Sequence, residues 1–233
     1  MGARVPKVLL PVAGRPLAGY VIDAARAAGA DRVILVVGIG KEQVIATFAD
    51  ERVEFVEQRE QKGTADAVLS CRDMIPDNEE CVVLCGDAPL VRPETIRGLS
   101  RAPRETGARI AVFTARPADP SGYGRIIRAG GNFIERIVEQ RDATPEELAL
   151  REVNSGAYAF RWGDVRPALE RIRPSAVSGE YYLTDIVTEV RAEGARVVAV
   201  EAAEPNEMLG ANTPAQLDEI AAELARRRGG SHQ

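Results

Sequence analysis

Asp87, leaving the apolar run of "CVVLCGDAPL", is the residue of this sequence best placed to do chemistry. Open α/β sheets bind ligands beyond the carboxyl ends of their parallel strands, and a carboxylate just past a buried strand stands there. Two readings compete for it. As a turn residue, Asp87 bonds its own backbone. As a ligand, it offers a hard oxygen to Mg²⁺, which takes one or two protein oxygens and completes its shell with water and substrate phosphates. Asn212, in "EMLGANTP", divides in the same way: its amide oxygen is a neutral second ligand, or it shapes the loop before Thr213.

Two further groups of polar residues stand where strands give way to loops. "EQREQKGTADA" sets Gln58, Gly63 and Thr64 at a strand-to-helix junction. There glycine permits a tight turn and threonine serves as an N-cap, while a glutamine side chain and free backbone groups suit a flat heterocycle. "SGYGRI", "RIVEQRDAT" and "EVNSGAY" place Gly124, Glu139 and Asn154 in a strand-rich middle section, a set able to hydrogen-bond a polyhydroxy ligand.

The elements that must position these residues follow from apolar spacing. Helical periodicity over "RPLAGYVIDAARAAGA", "KEQVIATFAD" and "TADAVLSCRDM" alternates with compact strands in "DRVILVVGIG", "RVEFVEQ" and Cys81 to Cys85. That alternation predicts βα units and a mostly parallel, Rossmann-like sheet with helices on both faces. From about residue 108 the rhythm changes. "ARIAVFTARP" is a strand, a hairpin is predicted around Gly130-Gly131, and "VNSGAYAFRW" adds a strand, so an antiparallel β insertion is expected over roughly 108–160 of a single domain, 1–233. "GDVRPALERIR" and "YYLTDIVTEVRAEG" return to helix and "ARVVAVEA" to strand. The last helix, "TPAQLDEIAAELARRR", carries Thr213 as N-cap, Pro214 in its first turn and an arginine cluster at its end.

Composition narrows the function. A net charge of -5 gives no footprint for nucleic acid or an acidic membrane surface. Nothing approaches the ~20 consecutive apolar residues of a membrane span, so a cytoplasmic location is expected. The three cysteines, Cys71, Cys81 and Cys85, are odd in number and without framework spacing, which suits reduced thiols. Cys81 and Cys85 lie about 13 Å apart along a strand, too far to share one ion. The only histidine, His232, stands in the tail "RRRGGSHQ", which argues against any mechanism built on a histidine base.

Taken in order, the motifs form one pattern: "PKVL" at 6–9, "EQKGTADA" at 60–67, "GDAPL" at 86–90, "GYGRI" at 122–126, "IVEQRDAT" at 137–144, "VNSG" at 153–156, "GEYYLTDI" at 179–186 and "GANTPAQL" at 210–217. The chain resembles the uridylyltransferase domain of the bacterial bifunctional N-acetylglucosamine-1-phosphate uridylyltransferase/glucosamine-1-phosphate acetyltransferase family, over essentially its whole length. The resemblance implies a sugar nucleotidyltransferase fold and a reaction of UTP with N-acetylglucosamine 1-phosphate, dependent on Mg²⁺, giving UDP-N-acetylglucosamine and pyrophosphate. By the same resemblance Asp87 and Asn212 are the metal ligands and Lys7 is the cation beside the phosphates, where composition alone reads an ordinary surface lysine. Gln58, Gly63 and Thr64 become the uracil contacts, and Gly124, Glu139, Asn154 and Thr184 the sugar-phosphate pocket.

Three departures from the family pattern bear on what to expect. Met1 matches the methionine that closes the family's "L-x-x-G-x-G-T-R-M", so the first strand and its glycine-rich phosphate loop are not in this sequence, and the start is expected to be internal to a longer reading frame. No hexapeptide repeats follow residue 213, so acetyl transfer is not expected. Cys85 stands where the family often has an aromatic residue. Two other functions remain open at this point: a nucleotidyltransferase for another sugar or polyol phosphate, and a nucleotide-sugar binding module without turnover. A dinucleotide oxidoreductase fits the βα rhythm but lacks a G-x-G-x-x-G after any strand.

Overall fold

The computed structural model describes residues 5–229; Met1 and His232, on which two of the readings above rest, lie outside them. A two-residue antiparallel pair, β1 (Pro11–Val12) and β2 (Arg15–Pro16), leads into helix α1 (Leu17–Ala28). Strands and helices then alternate through β3 (Ile34–Val37), α2 (Lys41–Phe48), β4 (Glu54–Glu57), α3 (Thr64–Leu69), β5 (Glu80–Val83) and α4 (Pro93–Thr106). The strand-rich section follows, with β6 (Ile110–Ala115), β7 (Arg125–Gly130), β8 (Phe133–Val138), the one-turn α5 (Pro145–Leu148) and β9 (Val153–Arg161). α6 (Trp162–Arg171), α7 (Ile186–Ala192), β10 (Val197–Glu201) and α8 (Pro214–Gly229) complete the described chain. No helix among the described residues is long and apolar enough to cross a membrane.

Six strands form the main sheet in the order β5-β9-β6-β10-β8-β7, in which β6 and β10 run parallel and the other neighbouring strands antiparallel. The β7–β8 hairpin turns at Gly130-Gly131 as expected, with φ of +127° and +52°, values that glycine adopts without a side-chain clash. β3 and β4 form a separate parallel pair. Among the described residues parallel pairing is confined to two ladders, so the expected mostly parallel sheet is corrected to a mixed one, to which the antiparallel excursion supplies most of the strands.

β6 explains why this sheet is stable. Every residue from Ile110 to Ala115 is buried, because the strand is covered on both faces. Ile110 and Val112 join Tyr158, Phe160, Trp162, Leu169, Ile186 and Val197 on the face covered by α6 and α7. Ala111, Phe113 and Ala115 pack with Leu99, Ala157, Val198 and Met208 on the face covered by α4. The period of two in a strand sends alternate side chains to opposite layers. α1 joins the two sheets by side chains: Ala18 and Ile22 pack on Val37 and Phe48, while Val21 and Ala24 pack on Val91 and Ile96.

Most of the longer elements follow the sequence patterns; two departures bear on the site. The expected strand Cys81 to Cys85 leaves its ladder after Val83, where Ala88 N–H donates back to the Cys85 carbonyl and closes a turn. The patterns above do not mark α4, whose buried face rests on Ile96, Leu99 and Ala102 and which contains Pro103. At α8 the Thr213 cap forms: Thr213 Oγ1 accepts from Gln216 N–H at 3.2 Å, and Gln216 Oε1 accepts from Thr213 N–H at 3.0 Å.

Trp162 is fully buried at the start of α6, its ring centroid 6.5 Å from that of Phe160. Trp162→Ala is expected to cost about 3–5 kcal/mol, read as a lower denaturant midpoint with an unchanged slope.

Candidate active site

β5 delivers its chain end to the turn that carries Asp87, and β10 delivers its own, through the helical turn Pro205–Met208, to Asn212. The two loops are tied by backbone: Ala211 N–H donates to the Asp87 carbonyl at 3.2 Å. Gly210 lets them approach closely, since a Cβ there would lie 3.2 Å from Asp87 Oδ2 and 3.5 Å from Asn212 Nδ2. Lys7 reaches in from the opposite end of the chain. Its Nζ donates to Asn212 Oδ1 at 2.7 Å and forms an ion pair with Asp87 Oδ2.

A buried carboxylate that sequence reasoning missed braces this arrangement. Glu207 is 1 % exposed, and its Oε2 accepts from Arg92 N–H at 3.2 Å and from Thr95 Oγ1 at 2.5 Å. It therefore satisfies donors at the N-terminus of α4, just beyond the Asp87 loop, from within the segment that leads to Asn212. A glutamate between asparagine and methionine carries no local signal for this, because both partners lie more than a hundred residues away.

From Asp87 the polar groups continue in an arc. The Cys85 thiol, two residues earlier, donates to the carbonyls of Ser155 and Gly156 at 3.7 and 3.6 Å. Desolvation, followed by the nearby Asp87 charge, pushes this thiol up to about 12, and burial raises Cys71 and Cys81 to about 11. All three are free cysteines, and none is a thiolate nucleophile near neutral pH.

Asn154 adjoins Ser155 and is buried. Its N–H donates to the Gly124 carbonyl at 2.9 Å, and its side-chain oxygen accepts from Gly156 N–H at 3.1 Å. A Cβ on Gly124 would lie 3.5 Å from Glu139 Oε2. Glu139 Oε1 in turn accepts from the buried Thr184 hydroxyl at 2.9 Å. Burial raises the Glu139 carboxyl above the ordinary value, and the charges of Asp185, Asp142 and Glu180 add to this against the opposing Thr184 hydrogen bond. Gly124, Glu139, Asn154 and Thr184 are thus brought into one cluster.

The arc closes through Thr64. The expected N-cap is corrected: Gly63 occupies the cap position, and Thr64 Oγ1 instead accepts from Leu183 N–H at 2.9 Å, beside Thr184. Gly63 is required there, because with φ +127° a Cβ would lie 2.4 Å from the Tyr181 carbonyl oxygen. The segment is stitched on both sides, Tyr181 N–H donating to Lys62 O at 2.7 Å and Ala65 N–H to Tyr181 O at 3.0 Å. Gln58 Nε2 donates to Gly63 O at 2.9 Å and to Asp66 Oδ2 at 2.8 Å, so Asp66 is a second residue that sequence reasoning passed over. The same spacing of eight residues in "QREQKGTAD" is its only local signal.

Two tests bear on metal chemistry. Among the described residues no group of three or more His, Cys, Asp or Glu side chains is arranged to hold a metal. Asp87 and Asn212 nonetheless present two hard oxygens to a single cation, the Lys7 ammonium, and two protein oxygens suffice where phosphates and water complete the shell. A cleft of about 610 Å³ lies elsewhere, lined by Gly107, Arg109, Asp164, Glu193 and Arg196 at the amino ends of β6 and β10. Its arginines are committed, Arg109 to Glu193 and Arg196 to the Thr106 carbonyl, so it lacks the convergent free polar groups of the arc.

A family model described as the MobA-like NTP transferase domain matches residues 1–231. The chain is 44% identical over 230 residues to the bifunctional protein GlmU of Geobacter metallireducens, covering 98% of this chain and 48% of that protein. It is 43% identical over 227 residues to the bifunctional protein GlmU of Halorhodospira halophila, covering 97% and 47%. The chain therefore spans about half the length of the curated relatives it matches, in keeping with the resemblance to a single domain of that family. In fold it is similar to a UDP-glucose pyrophosphorylase solved with UDP-glucose, with a TM-score of 0.71, 20% identity, and coverage of 96% of this chain and 91% of the other.

Gly63→Ala is expected to destabilise the protein by about 1–3 kcal/mol, measured by chemical denaturation, since it adds both backbone strain and a clash with Tyr181. Glu139 supplies a pH-dependent counterpart. Its folded-state carboxyl is raised, so the stability it gives is complete below the unfolded value and is lost as pH rises through the folded one. Glu139→Gln is expected to raise Tm at neutral pH, with the difference vanishing below about pH 4; a lower Tm at neutral pH would contradict the desolvation of this group.

Proposed function

Because the chain belongs to the MobA-like NTP transferase domain family, we propose that it is a sugar-1-phosphate uridylyltransferase. UTP and N-acetylglucosamine 1-phosphate would be converted to UDP-N-acetylglucosamine and pyrophosphate. The observation that carries this reading is the continuous arc, in which a lysine, carboxylate and amide cluster at one end is joined through Cys85, Ser155 and Asn154 to a second cluster of carboxylate, amide and hydroxyl groups. The 40–44% identity to bifunctional GlmU proteins supports the choice of nucleotide and sugar.

The reaction asks little of the protein as a nucleophile. A phosphate oxygen of the sugar phosphate attacks the α-phosphorus in line, the bond to the β-phosphate oxygen breaks, and pyrophosphate carries away the electron pair. Positioning and charge neutralisation are what remain to be supplied. Gln58, its amide nitrogen committed to Gly63 and Asp66, is left with its amide oxygen for the N–H of a pyrimidine base. Gly63 and Thr64 form the wall beside it. Glu139 and Asn154 accept from and donate to sugar hydroxyl and acetamido groups, with Gly124 and Thr184 holding their positions. Lys7 offers a compact positive charge to the phosphates. Asp87 and Asn212 would hold Mg²⁺, which when bound neutralises phosphate charge.

Pyrophosphate release by the purified chain with UTP, N-acetylglucosamine 1-phosphate and Mg²⁺ tests this reading. Turnover is expected, and Asp87→Ala is expected to lower it by about 100-fold or more. Release unaffected by Asp87→Ala, or absent from the folded chain, would overturn it.

A further inference from the structure

Lys7 does not lie free above the arc. Its ammonium sits on the same two oxygens, Asp87 Oδ2 and Asn212 Oδ1, that are assigned to the divalent cation. A cation bound through both atoms takes them at about 2.1 Å, which leaves no place between them for an ammonium that needs about 2.8 Å from each. The two positive charges would also repel. Lysine and metal therefore compete for one position, and binding of one requires departure of the other.

The surroundings make departure easy. Lys7 lies on the short turn Lys7–Leu9, in which no residue is buried, and its side chain is 43% exposed. The ammonium is a point charge on a flexible stem, able to turn towards a new anion without moving the backbone. Asp87, at 19% exposure and held by Ala211, stays in place.

We propose that Lys7 is a resident counter-cation that closes the Asp87–Asn212 site until a polyphosphate draws it away. This inference rests on the site reading above. Metal and nucleotide then bind cooperatively: the triphosphate pulls the ammonium off the two oxygens, and the freed oxygens take the metal. Linkage makes the effect reciprocal, so metal entering first releases the ammonium towards the phosphates. The free protein holds metal more weakly than its oxygens alone would allow, by the fraction of molecules in which Lys7 is disengaged. For a half-exposed ion pair that reduction is about threefold to tenfold.

The test uses Mn²⁺ alone, without nucleotide, and measures its binding to the folded protein by electron paramagnetic resonance. Lys7→Met is expected to bind Mn²⁺ about threefold to tenfold more tightly than the wild type, and Asp87→Asn to lose binding. In the wild type, Mn²⁺ is expected to increase acylation of Lys7 by an amine reagent, read by mass spectrometry, because the metal frees the ammonium. Binding lost in Asp87→Asn but equal or weaker in Lys7→Met overturns the inference alone, as does Lys7 acylation unchanged by Mn²⁺. Binding unchanged in Asp87→Asn overturns the site reading and the inference with it.

Discussion

The arrangement depends on bringing two loops, whose key residues stand 125 positions apart in the chain, within reach of one cation. A carboxylate and an amide oxygen cannot choose that spacing for themselves, since the carboxylate is better solvated apart. The backbone bond from Ala211 to Asp87 and the buried Glu207 at the start of α4 enforce it. Removing a carboxylate from water is costly unless donors meet it; Arg92 and Thr95 meet Oε2, while among the described residues the buried Oε1 has no hydrogen-bond partner. Glu207 thus converts a desolvation cost into a fixed distance between two loops.

The layers beneath make that distance reproducible. β6 is buried along its whole length between β9 and β10, so the strands that lead to Asn154 and Asn212 share a ladder with it. Register in such a ladder cannot slip by one residue without turning Phe113 and Ala115 into the wrong layer. Polar groups placed at the ends of these strands inherit the precision of the core. The Glu139–Thr184 and Gln58–Gly63 ends of the arc meet at one point, where Thr64 and Gly63 touch the segment from Tyr181 to Thr184.

What the sequence made legible was what local pattern can encode. Asp87 was found because an apolar run ends just before it, and α8 because an amphipathic pattern follows Thr213 as cap and Pro214 in the first turn. The hairpin was found from Gly130-Gly131. Gly124, Glu139 and Asn154 were grouped from their place in the strand-rich section, whereas Thr184 joined them only by resemblance, as no periodicity links it to residues so far away in the chain. Thr64 was misread as a cap because its partner, Leu183 N–H, is 119 residues away and local preference favours the nearer role. Glu207 was invisible for the same reason. α4 was passed over because three small or branched residues carry its buried face and a proline stands within it.

The side-chain bridge made by α1 has a mechanical meaning. Among the described residues no strand pair joins the β3–β4 ribbon to the six-stranded sheet; one helix face packs on each. Ladder hydrogen bonds hold a fixed register, whereas apolar contact is non-directional and tolerates sliding. Gln58 follows β4, whereas Asp87 follows β5 and Asn154 lies on β9 of the larger sheet, so residues of the arc stand on both sides of the seam under α1. Gln58 Nε2 crosses the same seam to Gly63 O and Asp66 Oδ2, and α3 packs Ala65 and Val68 into the core of the larger sheet, so apolar contact lays the two sheets together while directional bonds pin the ribbon's end to the start of α3.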